Sequence, residues 1–156
     1  MEKSDVIAQR QPDIIVYDPE ENEVLVVEVR LKIPQDILAL KRGIEHYIRS
    51  ARYTNRAAAP FAMLIDTKVV QVMKWQTDNL SEPILELNSD EIFSYYDSDF
   101  GSKRIFEYYL TALAESWLRD FSFHWKHQQP PKEEELSKIG LLPLLENSWA
   151  KSIEDK

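Results

Sequence analysis

Residues 12–32 read PDIIVYDPEENEVLVVEVRLK. Two runs rich in β-branched residues, 14–17 and 24–29, flank a polar stretch holding Asp18, Pro19 and Asn22. This pattern predicts a β-hairpin, because branched side chains suit a pleated surface and Asp, Pro and Asn suit turns. With residues 19–22 as the loop and Asp18 paired with Glu23, antiparallel partners have positions that sum to 41. Asp13 then falls opposite Glu28, with about 5 Å between their Cβ atoms. Alternation puts Val24, Val26, Glu28, Arg30 and Lys32 on one face, and Leu25, Val27, Val29, Leu31 and Ile33 on the other. The second face reads as core along its whole length. The first turns from apolar to charged toward one end. Two carboxylates that close repel unless a proton or a cation lies between them. Around a hard divalent cation they suit attack of water on a phosphodiester.

The chain has 156 residues, enough for one domain with a real core. It has no cysteine, which excludes disulfides and thiolate metal sites. No run approaches the roughly 20 apolar residues of a membrane span. The polar start MEKSD is unlike a signal peptide, so a cytoplasmic protein without membrane contact is expected. The net charge of −8 opposes nucleic-acid binding, but it is unevenly spread. Residues 1–29 carry −6, residues 30–74 carry +6 and residues 75–156 carry −8. The basic block starts at Arg30, directly behind the charged end of the hairpin.

Pro34 ends the second strand, and a helix is expected from about Asp36. Ile37, Leu40, Ile44, Tyr47, Ile48 and Ala51 form its buried stripe, while Arg42, Glu45, Arg49, Arg52 and Arg56 lie mainly off it. Runs at 61–65 and 69–75 predict a second hairpin, and 84–87 a short edge strand. Residues 90–96 read as a helical turn. Ser102 is placed to cap a long helix reaching about Asp120, and residues 133–135 open a short final helix. Residues 4–10 read as a short first strand, and those from Ser148 as frayed. The order predicts an α/β domain over 1–128 with a central mixed sheet flanked by helices, and a helical C-terminal tail over 129–156 packed on it or extending from it.

Pro12-Asp13, then Glu28-Val29-Arg30 after about fifteen residues, resembles the PD-(D/E)XK nuclease superfamily. The layout is most similar to the N-terminal nuclease domain of type I restriction enzyme motor subunits and its stand-alone relatives. The helix directly after the motif strand and the stretch FAMLID at 61–66 agree with it; the similarity covers about residues 10–88. The resemblance implies a restriction-endonuclease-like fold acting on DNA with Mg²⁺ or Mn²⁺. Asp13, Glu28 and the Val29 carbonyl would hold the metal. Arg30 stands where the family has lysine; with Lys32 on the same face, it would complete the catalytic set. Arginine can stabilise a developing negative charge, but it is a poor proton acceptor. The family's acid on a preceding helix has only Glu2 and Asp5 as counterparts. Tyr47 matches a family tyrosine, but Gly43 stands where its glutamine would be.

Two functions stay open. One is a Mg²⁺-dependent endodeoxyribonuclease whose Arg42, Arg49, Arg52 and Arg56 track the DNA backbone. The other is a non-catalytic descendant that keeps the fold as a binding or assembly module, with Arg30 as an ion-pair partner of the acids. His46, His124 and His127 form no ligand set and read as surface side chains. Tyr108, Tyr109, Trp117, Phe121, Phe123 and Trp125 are more aromatics than one helix face buries. They read as a lid over the sheet or, in part, as the interface of a homo-oligomer or partner protein.

Overall fold

A computed structural model describes residues 11–51 and 57–152 of the chain. β1 (Ile14–Tyr17) and β2 (Glu23–Val29) form the expected antiparallel hairpin. Asp36 Oδ1 accepts the Leu38 N–H at 3.0 Å and opens α1 (Leu38–Ala51). β3 (Phe61–Ile65) and β4 (Val69–Lys74) make the second hairpin, followed by β5 (Leu85–Asn88). Then come α2 (Ser89–Phe93), a 3-10 turn (Phe100–Ser102), α3 (Glu107–Phe123), α4 (Glu133–Lys138), α5 (Leu142–Glu146) and β6 (Trp149–Ser152). The six strands form one mixed sheet in the order β5-β4-β3-β2-β1-β6. β2 and β3 run parallel, a pairing that needs a crossover, and α1 is its body. The architecture is α/β, a mixed sheet flanked by helices. No described helix is long and apolar enough to cross a membrane.

The register holds over most of the hairpin: Ile14 pairs with Val27, Ile15 with Val26 and Val16 with Leu25. It fails at the turn, where Tyr17 instead of Asp18 pairs with Glu23 across a bulge. The cause is local. Asp18 Oδ1 accepts the N–H groups of Glu20 and Asn22, both at 2.9 Å, and so belongs to the turn. The extra residue of the bulge carries Val24 to the opposite core from the one alternation assigns it.

All seven residues of β2 are buried. Leu25, Val27 and Val29 pack with Phe61, Met63, Val70 and Val72 under Leu110, Trp117 and Phe121 of α3. Val26 packs on the other face with Ile15, Ala62, Leu64 and Met73 against Ile44 and Ile48 of α1. The apolar face stops at Val29. Leu31 is 46% exposed, because the chain leaves the sheet after Arg30 and the Ile33 N–H turns to Asp66.

The C-terminal region departs most from expectation. Ser102 lies in the 3-10 turn, and α3 starts at Glu107 after Phe106. Gly140, at φ 85°, ends α4, and Pro143 stands in the first turn of α5. The residues from Ser148, expected to fray, include β6, which pairs with β1. Its outer edge is occupied: Arg119 donates to the Ala150 carbonyl at 3.1 and 3.2 Å, and Glu115 accepts the Ser152 N–H at 3.0 Å. Leu136, Leu141, Leu145 and Ala150 lie in the same core as β2, so residues 129–152 close this core. His127 is not a free surface side chain either. Its Nδ1 lies 2.8 Å from Oδ2 of fully buried Asp120, which also accepts the Tyr96 hydroxyl at 2.6 Å. The expected strand at 4–10 lies outside the described residues.

Asp97 anchors the approach to α3. It accepts the Tyr109 hydroxyl at 2.6 Å and pairs with Lys103 at 2.7 Å. Lys103 first, then Tyr109, lower its carboxyl from the ordinary 3.8 to about 2. A depressed native value contributes stability that is present above the unfolded value and lost as pH falls through the native one. Asp97→Asn is therefore expected to flatten the decline in melting temperature between pH 3.8 and about 2. Parallel acid limbs for the two proteins would contradict this role.

Candidate functional site

The hairpin brings Asp13, Glu28 and Arg30 together at the end of β2. Asp13 donates its N–H to the Val27 carbonyl at 2.9 Å, and its Oδ2 accepts the Val29 N–H at 2.7 Å. It thus brackets Glu28, as the register requires, and its carboxylate substitutes for a ladder partner beyond the start of β1. On the other side, the Arg30 N–H continues the ladder to the Ile65 carbonyl at 2.9 Å.

The guanidinium of Arg30 turns back over this strand end. Its Nη1 lies 2.8 Å from Glu28 Oε1, 2.9 Å from the Val29 carbonyl oxygen and 3.5 Å from Asp13 Oδ2. One nitrogen therefore meets all three groups that the resemblance assigns to a metal ion. The Glu28 side chain is 10% exposed and that of Arg30 20%, so water screens the pair only partly. A divalent cation would need the same lone pairs and would sit beside a permanent positive charge. As arranged, these residues fit a guanidinium and not a metal ion. Among the described residues no cluster of three His, Cys, Asp or Glu side chains is placed to hold one.

Lys32 does not join the set. Alternation would place it beside the acids, but the strand ends at Val29 and Lys32 is exposed in the following bend. A cleft of about 330 Å³ lies between the strand end and α1, lined by Glu28, Arg30, Leu40, Gly43, Ile44 and Tyr47. Arg42 and His46 are exposed on its rim. Tyr47 is structural here. Its hydroxyl donates to Glu23 at 2.8 Å, and burial, then this bond, push its pKa well above the ordinary 10.0.

The basic face of α1 is also less open than its sequence implies. Arg49 reaches Glu45 at 3.7 Å and Asp78 at 3.8 Å. Glu45, expected toward solvent, is buried and accepts the Leu80 N–H at 2.9 Å. Arg52 and Arg56 lie outside the described residues. No periodicity in the sequence marks Glu45 as buried, because its acceptor role depends on a loop 35 residues away.

No family model, curated protein or solved structure matches the chain.

Proposed function

We propose that this chain is a restriction-endonuclease-like domain of the PD-(D/E)XK type that no longer hydrolyses DNA and works as a binding and assembly module. The contact of one Arg30 nitrogen with Glu28, Val29 and Asp13 carries this reading. The guanidinium serves as a built-in counter-ion for two close carboxylates and makes a bound cation unnecessary there. Arginine also stays protonated in proteins, so it cannot take a proton from an attacking water. Descent from a nuclease is supported by Pro12-Asp13 and Glu28-Val29-Arg30 at one strand end, by the crossover helix that follows, and by the hairpin after it. The engagement of Arg49 by two acids supports a protein partner over a DNA backbone.

The competing reading is a Mg²⁺-dependent nuclease, favoured by the retained juxtaposition of Asp13 and Glu28. Incubation of supercoiled plasmid with the full chain and Mg²⁺ or Mn²⁺ separates the two. The expected result is intact plasmid. Nicking that disappears in Glu28→Ala would establish the enzyme instead. Arg30→Lys, assayed alongside, asks whether the family's lysine restores cleavage.

A further inference from the structure

An open apolar surface lies on the far side of the sheet from this cleft, along the outer face of α3. Tyr108, Ala112, Ser116, Arg119 and Phe123 recur there at intervals of three or four residues, so they share one stripe. Tyr108 is 76% exposed and Phe123 63%. Near its C-terminal end the stripe deepens into a groove of about 560 Å³ lined by Ser116, Arg119, Phe123, Trp125, Trp149 and Ala150. Its walls are fixed in place. Trp125 Nε1 donates to the Ser116 carbonyl at 2.9 Å, and Trp149 stacks on Tyr17 at 4.7 Å.

We propose that this stripe is the interface of a two-fold homodimer in which α3 packs antiparallel on α3 of a second copy. This rests on the assembly reading above and gives it a partner. A two-fold interface must be self-complementary. Antiparallel pairing with positions summing to 228 sets Ala112 against Ser116, small against small, where the helices approach most closely. The same register brings Tyr108 of each copy to the level of Arg119 and Phe123 of the other, at the mouth of the aromatic groove. The large residues then fill the space where crossing helices diverge.

Charge agrees with this pairing, and the exposed aromatics supply a little over half of the area it needs. The chain carries −8, so two copies repel through most of their surfaces. The one charged residue of the stripe, Arg119, is neutralised by Glu115 beside it at 3.0 Å. A whole aromatic side chain buries about 150–250 Å². The exposed parts of Tyr108, Phe123, Trp125 and Trp149 thus offer on the order of 500 Å² per copy, against roughly 800 Å² per partner in a standard interface. Ala112, Ser116 and the flanking polar atoms add to that. Strand addition at this edge is excluded, since Arg119 and Glu115 already occupy the outward groups of Ala150 and Ser152.

Light scattering coupled to size exclusion, with the full chain at about 100 μM, is expected to give twice the monomer mass. Ala112→Arg and Phe123→Glu change exposed positions and should give folded monomers whose far-ultraviolet circular dichroism matches the wild type, with a melting temperature lowered only by the loss of association. The chain has no cysteine, so Ala112→Cys with Ser116→Cys offers a clean second test. Oxidation should give a covalent dimer on a non-reducing gel, and neither single variant should match its yield. A monomer at this concentration, or a dimer indifferent to Ala112→Arg, would overturn the proposal. Either failure is distinguishable from failure of the non-catalytic reading, which plasmid cleavage decides.

Discussion

Arg30→Ala is expected to destabilise the protein by about 2–4 kcal/mol at neutral pH, a large loss for a residue outside the apolar core. The substitution removes the hydrogen bonds to Glu28 and to the Val29 carbonyl, together with the charge beside Asp13. The two carboxylates are then left close together at a strand end where Glu28 is nearly buried. Exposed ion pairs contribute little, about 0–1 kcal/mol, but removing one member of a largely desolvated pair costs more. The deficit should carry a pH signature. Two close carboxylates repel, and a proton taken up between them relieves the repulsion as pH falls. Urea denaturation at pH 7 and at pH 5 should show the gap between wild type and variant narrowing at the lower value. A loss under about 1 kcal/mol, or a gap independent of pH, would mean that Arg30 is an ordinary surface side chain.

Asp66→Ala is expected to cost about 3–5 kcal/mol. Asp66 is 5% exposed and serves three backbone amides: Ile33 at 2.8 Å through Oδ2, and Lys68 at 2.7 Å and Val69 at 2.8 Å through Oδ1. It thereby ties the β3–β4 turn to the segment that leaves β2 just after Arg30. Hydrogen bonds to a charged acceptor contribute about 1.5–3 kcal/mol each, and they are not additive. Asp66→Asn separates the parts. The amide oxygen can still accept in the turn, while its NH₂ group opposes the Ile33 N–H, so a smaller loss of about 1–2 kcal/mol is expected. Equal losses in the two variants would show that the Ile33 contact dominates. Amide exchange at Ile33 and Arg30 should quicken in Asp66→Ala if this bond holds the strand end in place.

The hairpin was legible because it is encoded locally. A run of β-branched residues, a turn rich in Asp and Pro and a strict period of two suffice to bring Asp13 to Glu28. The same period misplaces Lys32 and Leu31, since nothing near residue 30 announces that the strand ends at Val29. That end is set by Asp66, 33 residues after Ile33. The bulge at Val24 escaped for a related reason: Asp18 could pair or cap, and capping prevailed. β6 is four residues long and has no β-branched residue, so its pairing depends on β1 and on Arg119. At the site, the spacing of Glu28 and Arg30 supplied both a catalytic and an ion-pair reading. Only the direction of the guanidinium, back over the Val29 carbonyl, favours the second.

Melting with and without Mn²⁺, on wild type and on Arg30→Ala, addresses that direction. If the guanidinium stands where a cation would, millimolar Mn²⁺ leaves the wild-type melting temperature unchanged. In Arg30→Ala the vacated carboxylates and carbonyl can take the ion, and Mn²⁺ should restore several degrees of the lost stability. Glu28→Ala in the same background should abolish the rescue. Stabilisation of the wild type by Mn²⁺, lost in Asp13→Ala and Glu28→Ala, would contradict the account, because it would show that the ion displaces Arg30 from the carboxylates.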